Sequence, residues 1–276
     1  MRIKKRVTEL SIYVILGIFV FYWLFPLGMA LLNSFKTNSE LLTSIMSLPS
    51  SFSLDNYIRT FTRMNYFRSL FNTIFISVLS VVLIVFCSSL AGWKIQRTKT
   101  KLSKFLYGLF SMSMLIPFSS VMIPQFRLMQ AMNLTNSLVG LSFVYVGLGV
   151  RMAIFLYSGF VKGVPLEIEE SAAIDGANSF QTFFFIVFPL LKPITVTVTI
   201  TNIVWIWNNF LLPLILISDS RQHTLLLSTS TLFGQYSNDW TAILSALVLT
   251  AIPIIIFYAF FQKTVIQGIG EGAIRG

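Results

Sequence analysis

Charge is scarce in this chain. Of its 276 residues only 11% are Asp, Glu, Lys or Arg, 55% are hydrophobic, and the mean hydropathy is +0.78. A water-facing domain carries roughly a quarter of its residues charged, so a soluble globular fold is excluded. The one cysteine, Cys87, excludes an intrachain disulfide framework and a thiolate metal cluster, and says nothing about compartment. The one histidine, His223, excludes a His-Glu-x-x-His zinc site. No Gly-x-x-x-x-Gly-Lys-Ser/Thr run exists to cradle nucleotide phosphates. The ten acids are Glu9, Glu40, Asp55, Glu167, Glu169, Glu170, Asp175, Asp219, Asp239 and Glu271, and all fall outside the long apolar runs. A proton-coupled carrier needs an intramembrane carboxylate, which weakens that class.

What is present is a set of uncharged runs, at 10–35, 69–93, 105–126, 128–150, 193–218 and 240–262. Each reaches the twenty or so apolar residues that cross a bilayer. An all-α membrane protein is expected, with six transmembrane helices at about 10–32, 70–93, 106–124, 138–161, 194–217 and 242–261, in one membrane unit over 1–276. The first run is too long for the h-region of a secretory signal and reads as an uncleaved span.

The 20 basic residues outnumber the 10 acidic ones. Their placement explains the excess without a nucleic-acid partner. Alternate connections starting from the N-terminus hold thirteen Lys and Arg, five of them in 94–104; the other connections hold six. The positive-inside rule then puts both termini in the cytoplasm. The twentieth, Arg151, falls about 20 Å into the fourth helix at 1.5 Å per residue. A charge there snorkels, pairs with a carbonyl or faces a pathway. Pro117, Pro124, Pro213 and Pro253 are expected to interrupt the third, fifth and sixth helices.

The inner connection VPLEIEESAAIDGANSFQTFFFIVFPLLKP, at 164–193, is the most informative stretch. Pro165 suits a helix start and Gly176 a left-handed stop, framing a short helix over about 165–177. Glu167, Glu169 and Glu170 sit where the helix dipole favours acids. Asn178 and Gln181 form a cap for a second helix. So short a helix is marginal in water without a partner. Glu170, Ala173 and Ala177 share one face, which fits either a soluble partner with a basic groove or an interfacial helix lying on the membrane or on its own bundle.

Glu170-Ser171-Ala172, then Asp175-Gly176-Ala177, then Ile186 and Pro189, resemble the EAA signature of ABC importer permeases, the binding-protein-dependent transport system inner-membrane components. Ser171 stands in place of Ala and Phe188 in place of Leu. The resemblance extends to Asn72, to IPQFRLMQAMNLTNSLVGL at 123–141, to WNNFLLP at 207–213 and to the terminal QGIGEGAIRG, and is similar to the carbohydrate, MalG-like branch. It implies a MalG-like permease fold in the cell membrane and a cytoplasmic coupling helix, with Glu170, Ser171, Ala172, Asp175, Gly176 and Ala177 at the ATPase. It also implies that the tail residues Gly272, Ala273 and Arg275 touch the ATPase. The implied partners are a second permease, two ATPase subunits carrying ATP and Mg, an extracytoplasmic sugar-binding protein and membrane lipid. No enzyme activity and no cofactor are implied for this chain. Permeases of the same family for polyols, glycerol phosphate or amino acids are alternatives, and a stand-alone sodium-coupled carrier or channel is a remoter one.

Asn202, Trp205 and Asn209 follow i, i+3, i+7 spacing on the fifth helix. Amides that bond hydroxyls and an indole that stacks on sugar rings suit a carbohydrate pathway, as Arg151 does if it faces the same space. The same polar groups also suit helix packing.

Overall fold

The computed structural model describes residues 2–234 and 238–274. These residues are helical and carry no strand: α1 Arg2–Asn33, α2 Asn38–Thr43, α3 Asp55–Arg63, α4 Tyr66–Arg97, α5 Lys101–Ser113, α6 Phe118–Ala131, α7 Leu138–Val161, α8 Leu166–Ile174, α9 Ser179–Leu190, α10 Lys192–Trp207, α11 Leu211–Leu216, α12 Leu225–Ser228 and α13 Trp240–Ile274.

Four helices are long and apolar enough to cross a membrane: α1, α4, α7 and α13. The third and fifth expected spans differ. In place of a helix over 106–124, α5 and α6 meet at 105°. Pro117, with φ −66° and ψ 141°, caps α6, and a residue preceding proline is pushed out of the helical region. In place of 194–217, α10 stops at Trp207, and α9 meets its start at 75°. Asn209 accepts a 3.0 Å bond from the Leu212 amide through Oδ1, and Pro213 has no N–H to return to the Asn209 carbonyl, so the chain turns before α11 begins. The α9–α10 bend has the same cause at Pro193, which sits in the first turn of α10. Just before it, α9 widens into a π-turn over Thr182–Val187, with the Phe188 amide bonded to Phe183 O. Pro124 and Pro253 lie inside α6 and α13, which continue through them and are not interrupted.

By its contacts the chain forms two compact units. The first, Met1–Tyr66 with Ser228–Pro253, is stitched by polar groups. The Lys36 ammonium, fully buried, donates to the Ser44 and Ile45 carbonyls at 2.9 and 3.1 Å. The Asn56 amide donates to Ser34 O and Lys36 O, both at 2.8 Å. Arg59 pairs with Asp239 at 3.0 Å. Between the first two spans lie the short helices α2 and α3. In α2, Thr37 and Glu40 form a capping box.

The second unit, Phe67–Leu227 with Ile254–Gly276, holds two apolar clusters. One gathers Ile76, Leu141, Tyr145, Ile206 and Leu212; the other gathers Ile84, Tyr157, Phe183, Val187 and Val198. Helices α4 and α7 run close because Gly92 has no side chain. A Cβ there would lie 2.6 Å from Tyr157 Cβ and 3.1 Å from Ser158 N. At one end of this unit Asn72 donates to the carbonyls of Arg221 and His223, and Asn136 Oδ1 accepts from the Ser218 and Asp219 amides.

Candidate coupling loop and transport cavity

Helix α8 has nine residues, shorter than the expected 165–177 because Pro165 and Asp175 are its caps. Glu167 and Glu169 occupy the first turn, at the positive end of the dipole. Gly176 takes φ +85°, the left-handed region that favours glycine. The Gly176 and Ala177 amides bond Ala173 O and Ala172 O, which closes the helix. Asn178 and Gln181 then bond reciprocally at 2.9 Å to start α9.

The loop residues divide by face. Glu170, Ser171, Ala173, Ile174, Asp175 and Gly176 are exposed, and Ala177 is half-buried. Ala172 points inward and is buried, as is Glu169 three residues earlier on the same face. Glu169 is the residue that sequence reasoning missed. Its Oε1 accepts from Arg97 Nε at 2.8 Å, its Oε2 from Trp93 Nε1 at 2.9 Å, and Arg97 Nη2 also reaches Val164 O at 2.7 Å. In a run of three glutamates nothing local marks which one turns inward. The charge of Arg97 had meaning only for topology until its partner was in view.

The four pathway candidates converge. A cavity of about 440 Å³ is lined by Arg151, Asn202, Trp205 and Asn209, together with Gly149 and Phe118. Arg151 both pairs with carbonyls and faces this space. Its Nε donates to Leu148 O at 3.1 Å and its Nη1 to Ser113 O at 2.7 Å. Ser113 ends α5, and among the described residues its carbonyl otherwise receives only a 3.4 Å turn bond from the Ile116 amide. The helix break thus supplies a negative dipole end to the cation.

Asn202 spends its N–H2 on Val198 O, one turn back in α10, at 2.8 Å. The Trp205 ring stands edge-on to Tyr145 with centroids 5.3 Å apart. Asn209 Oδ1 caps α11. Arg151 Nη2, Trp205 Nε1 and the Asn209 N–H2 have no partner among the described residues, and no carboxylate lines the cavity. The cavity therefore offers donors and an aromatic surface, which suits a ligand rich in oxygen acceptors. In the tail, Gly272 and Ala273 fall within α13, while Arg275 lies outside the described residues.

Residues 84–271 match the family described as binding-protein-dependent transport system inner membrane component, more than half of the chain. The chain belongs to that family. The permease is 39% identical over 254 residues to the probable starch degradation products transport system permease protein AmyC of Thermoanaerobacterium thermosulfurigenes, covering 92% of each chain. It is 31% identical over 252 residues to the melibiose/raffinose/stachyose import permease protein MelC of Bacillus subtilis, covering 91% of each. Among solved structures it matches a chain from the crystal structure of a bacterial ABC transporter involved in the import of the acidic polysaccharide alginate. That match has a TM-score of 0.77 at 21% identity and covers 94% of the permease and 97% of the other chain, which shows a shared fold. The permease is therefore a multi-pass, all-α membrane subunit of an ABC importer, with the bent pairs completing up to six spans. Members of this family are membrane subunits and not themselves catalytic.

Proposed function

We propose that this permease forms half of the translocation pathway of an ATP-driven importer for a carbohydrate, an oligosaccharide. The observation that carries the substrate class is the cavity: three unbonded donors, an indole and no carboxylate, in a membrane subunit whose relatives are named for starch products and for raffinose-type sugars. Hydroxyl oxygens accept from such donors, and the apolar face of a pyranose stacks on an indole.

In this reading the permease pairs with a homologous second permease and receives solute from an extracytoplasmic sugar-binding protein. Two cytoplasmic ATPase subunits hold ATP and Mg²⁺. The exposed face of α8 and the turn that closes it, with Glu170, Ser171, Asp175 and Gly176, seats in the ATPase, and Glu170 meets a basic residue there; Ala172 and Ala177 support that face from behind. Gly272, Ala273 and Arg275 make a further ATPase contact. Both termini are cytoplasmic. The Arg97–Glu169 pair supports this topology, because it holds the strongly basic 94–104 connection and α8 at the same end of α4. Along the most apolar stretch of α1 no residue is buried, which supports cover by lipid and by the second permease. The 1–276 chain acts as a single permease domain.

The test is co-expression with the genomic neighbours, purification in detergent and identification of what remains bound by mass. A second permease and an ATPase are expected to co-purify. A chain recovered alone that still moves radiolabelled sugar in liposomes sinks the proposal.

A further inference from the structure

Helix α8 has only two buried residues of its own, Glu169 and Ala172, to hold it against the rest of the chain. Alanine offers little grip, so the hold falls to Glu169. Both of its carboxylate oxygens are taken by α4, from Trp93 and Arg97, which stand four residues apart on the last turn of that helix. The other arm of the guanidinium passes to Val164 O, two residues ahead of α8. The Trp93 ring lies 5.1 Å from the ring of Phe183, in the π-turn that follows α8. The end of α4 therefore grips α8 before, within and after it. Arg97 and Glu169 are 18% and 10% exposed, so the pair is shielded from water and breaking it leaves a buried charge unpaired.

Above this grip α4 has no room to slide on α7. Gly92 touches Tyr157 and Ser158 at distances that exclude even a methyl group. Further along, Ile84 is fully buried against Gly149, where an added Cβ would lie 2.5 Å from Ile84 Cδ1. Gly149 and Arg151, both on α7, line the cavity. A contiguous packed path runs from α8 through α4 to the cavity wall.

We propose that Trp93, Arg97 and Glu169 are positioning residues that clamp the coupling helix to α4, so that a stroke delivered to α8 moves the α4–α7 wall of the cavity as one body. A purely apolar seat permits small sliding between packed helices. A shielded ion pair whose carboxylate is held by two donors, Arg97 Nε and Trp93 Nε1, fixes both distance and orientation. This inference rests on the coupling function proposed for α8.

The test uses the full complex, the permease with its co-purifying subunits and binding protein, reconstituted in proteoliposomes. Uptake of radiolabelled maltotriose, raffinose and arabinotriose is measured alongside ATP hydrolysis. Glu169→Gln weakens the pair, Arg97→Lys keeps the charge but cannot serve Glu169 and Val164 O in one plane, and Trp93→Phe removes a single N–H while keeping a ring beside Phe183. Sugar moved per ATP hydrolysed is expected to fall about twofold to thirtyfold, least in Trp93→Phe, with subunits still co-purifying. The exchange Arg97→Glu with Glu169→Arg is expected to regain part of the ratio. If the clamp only holds the fold together, uptake and hydrolysis fall in proportion and the ratio stays constant; that result, like an unchanged Trp93→Phe, overturns the proposal. A wild-type permease that moves sugar without any ATPase removes the coupling function and the clamp with it, whereas a coupled wild type with unaltered variants removes the clamp alone.

Discussion

The closeness of α4 and α7 gives a prediction whose size follows from three glycines. A methyl group at Gly149 would sit 2.5 Å from Ile84 Cδ1 and 2.9 Å from Asn202 Oδ1, against a carbon–carbon optimum of about 3.5–4.0 Å. The nearest obstacle is the far end of a flexible side chain, so Gly149→Ala is expected to destabilise by about 1–3 kcal/mol, the usual range for overpacking. Alanine's better helix propensity returns up to about 1 kcal/mol of that. Ile84→Val deletes the obstructing Cδ1. Alone it costs about 0.5–1.5 kcal/mol, but combined with Gly149→Ala it should be more stable than the sum of the two by about 1 kcal/mol or more. Gly92→Ala behaves differently, because its obstacles are Tyr157 Cβ at 2.6 Å and the Ser158 amide nitrogen at 3.1 Å, which no side-chain truncation relieves. It should cost at least as much as Gly149→Ala and gain nothing from Ile84→Val. Gly147, with nothing within 4 Å of its would-be Cβ, is the control, and Gly147→Ala should be neutral or slightly stabilising. The assay is thermal unfolding of the detergent-purified permease at a fixed scan rate, with the two double mutants completing the cycles. Additive effects for Gly149→Ala and Ile84→Val, or rescue of Gly92→Ala by Ile84→Val, would refute the packing argument.

Gly176→Val should force a β-branched residue to φ +85°, at roughly 1–2 kcal/mol; uptake is expected to be lost with membrane insertion intact, while Gly176→Asn retains activity, and normal uptake in the valine variant would deny the turn its role. Arg151→Gln removes the charge but keeps a donor for Ser113 O, and the expected outcome is a raised half-saturation concentration for sugar uptake at unchanged expression; unaltered kinetics would assign Arg151 to holding the α5–α6 break alone. Asn202→Ala, which opens space beside Gly149, should likewise raise half-saturation, and unchanged kinetics would favour helix packing as its role. Hydrogen bonds from Ser50 above all, then from Thr37, hold the Glu40 carboxyl down at about 2, below its usual 4.5. A depressed carboxylate stabilises fully above the unfolded value, so the α2 segment should keep its protection at pH 5 and lose it as pH falls from about 4.5 towards 2. Hydrogen-exchange protection factors at the Thr37 and Ser50 amides measure this, and Glu40→Gln should remove the pH dependence.

Composition and charge placement alone determined that the chain is a helical membrane protein, and Pro165 and Gly176 alone framed the short helix of the 164–193 connection, while the coupling role proposed for it came from resemblance to the EAA signature. The first two depend on local or additive physics: hydropathy summed over twenty residues, a helix start that tolerates proline, and a left-handed stop that favours glycine. The bends at Leu191 and Pro117 were only partly legible, because a proline breaks one membrane helix and is absorbed in the next, as Pro124 and Pro253 show. Tertiary structure alone decided that Arg151 meets both the Ser113 carbonyl and the cavity, and that Glu169 turns inward to Arg97 while Glu170 faces out. Arg97 and Glu169 are 72 residues apart in the chain. Hydropathy and spacing say how each helix is made, but which side chains meet across two helices is set by their packing.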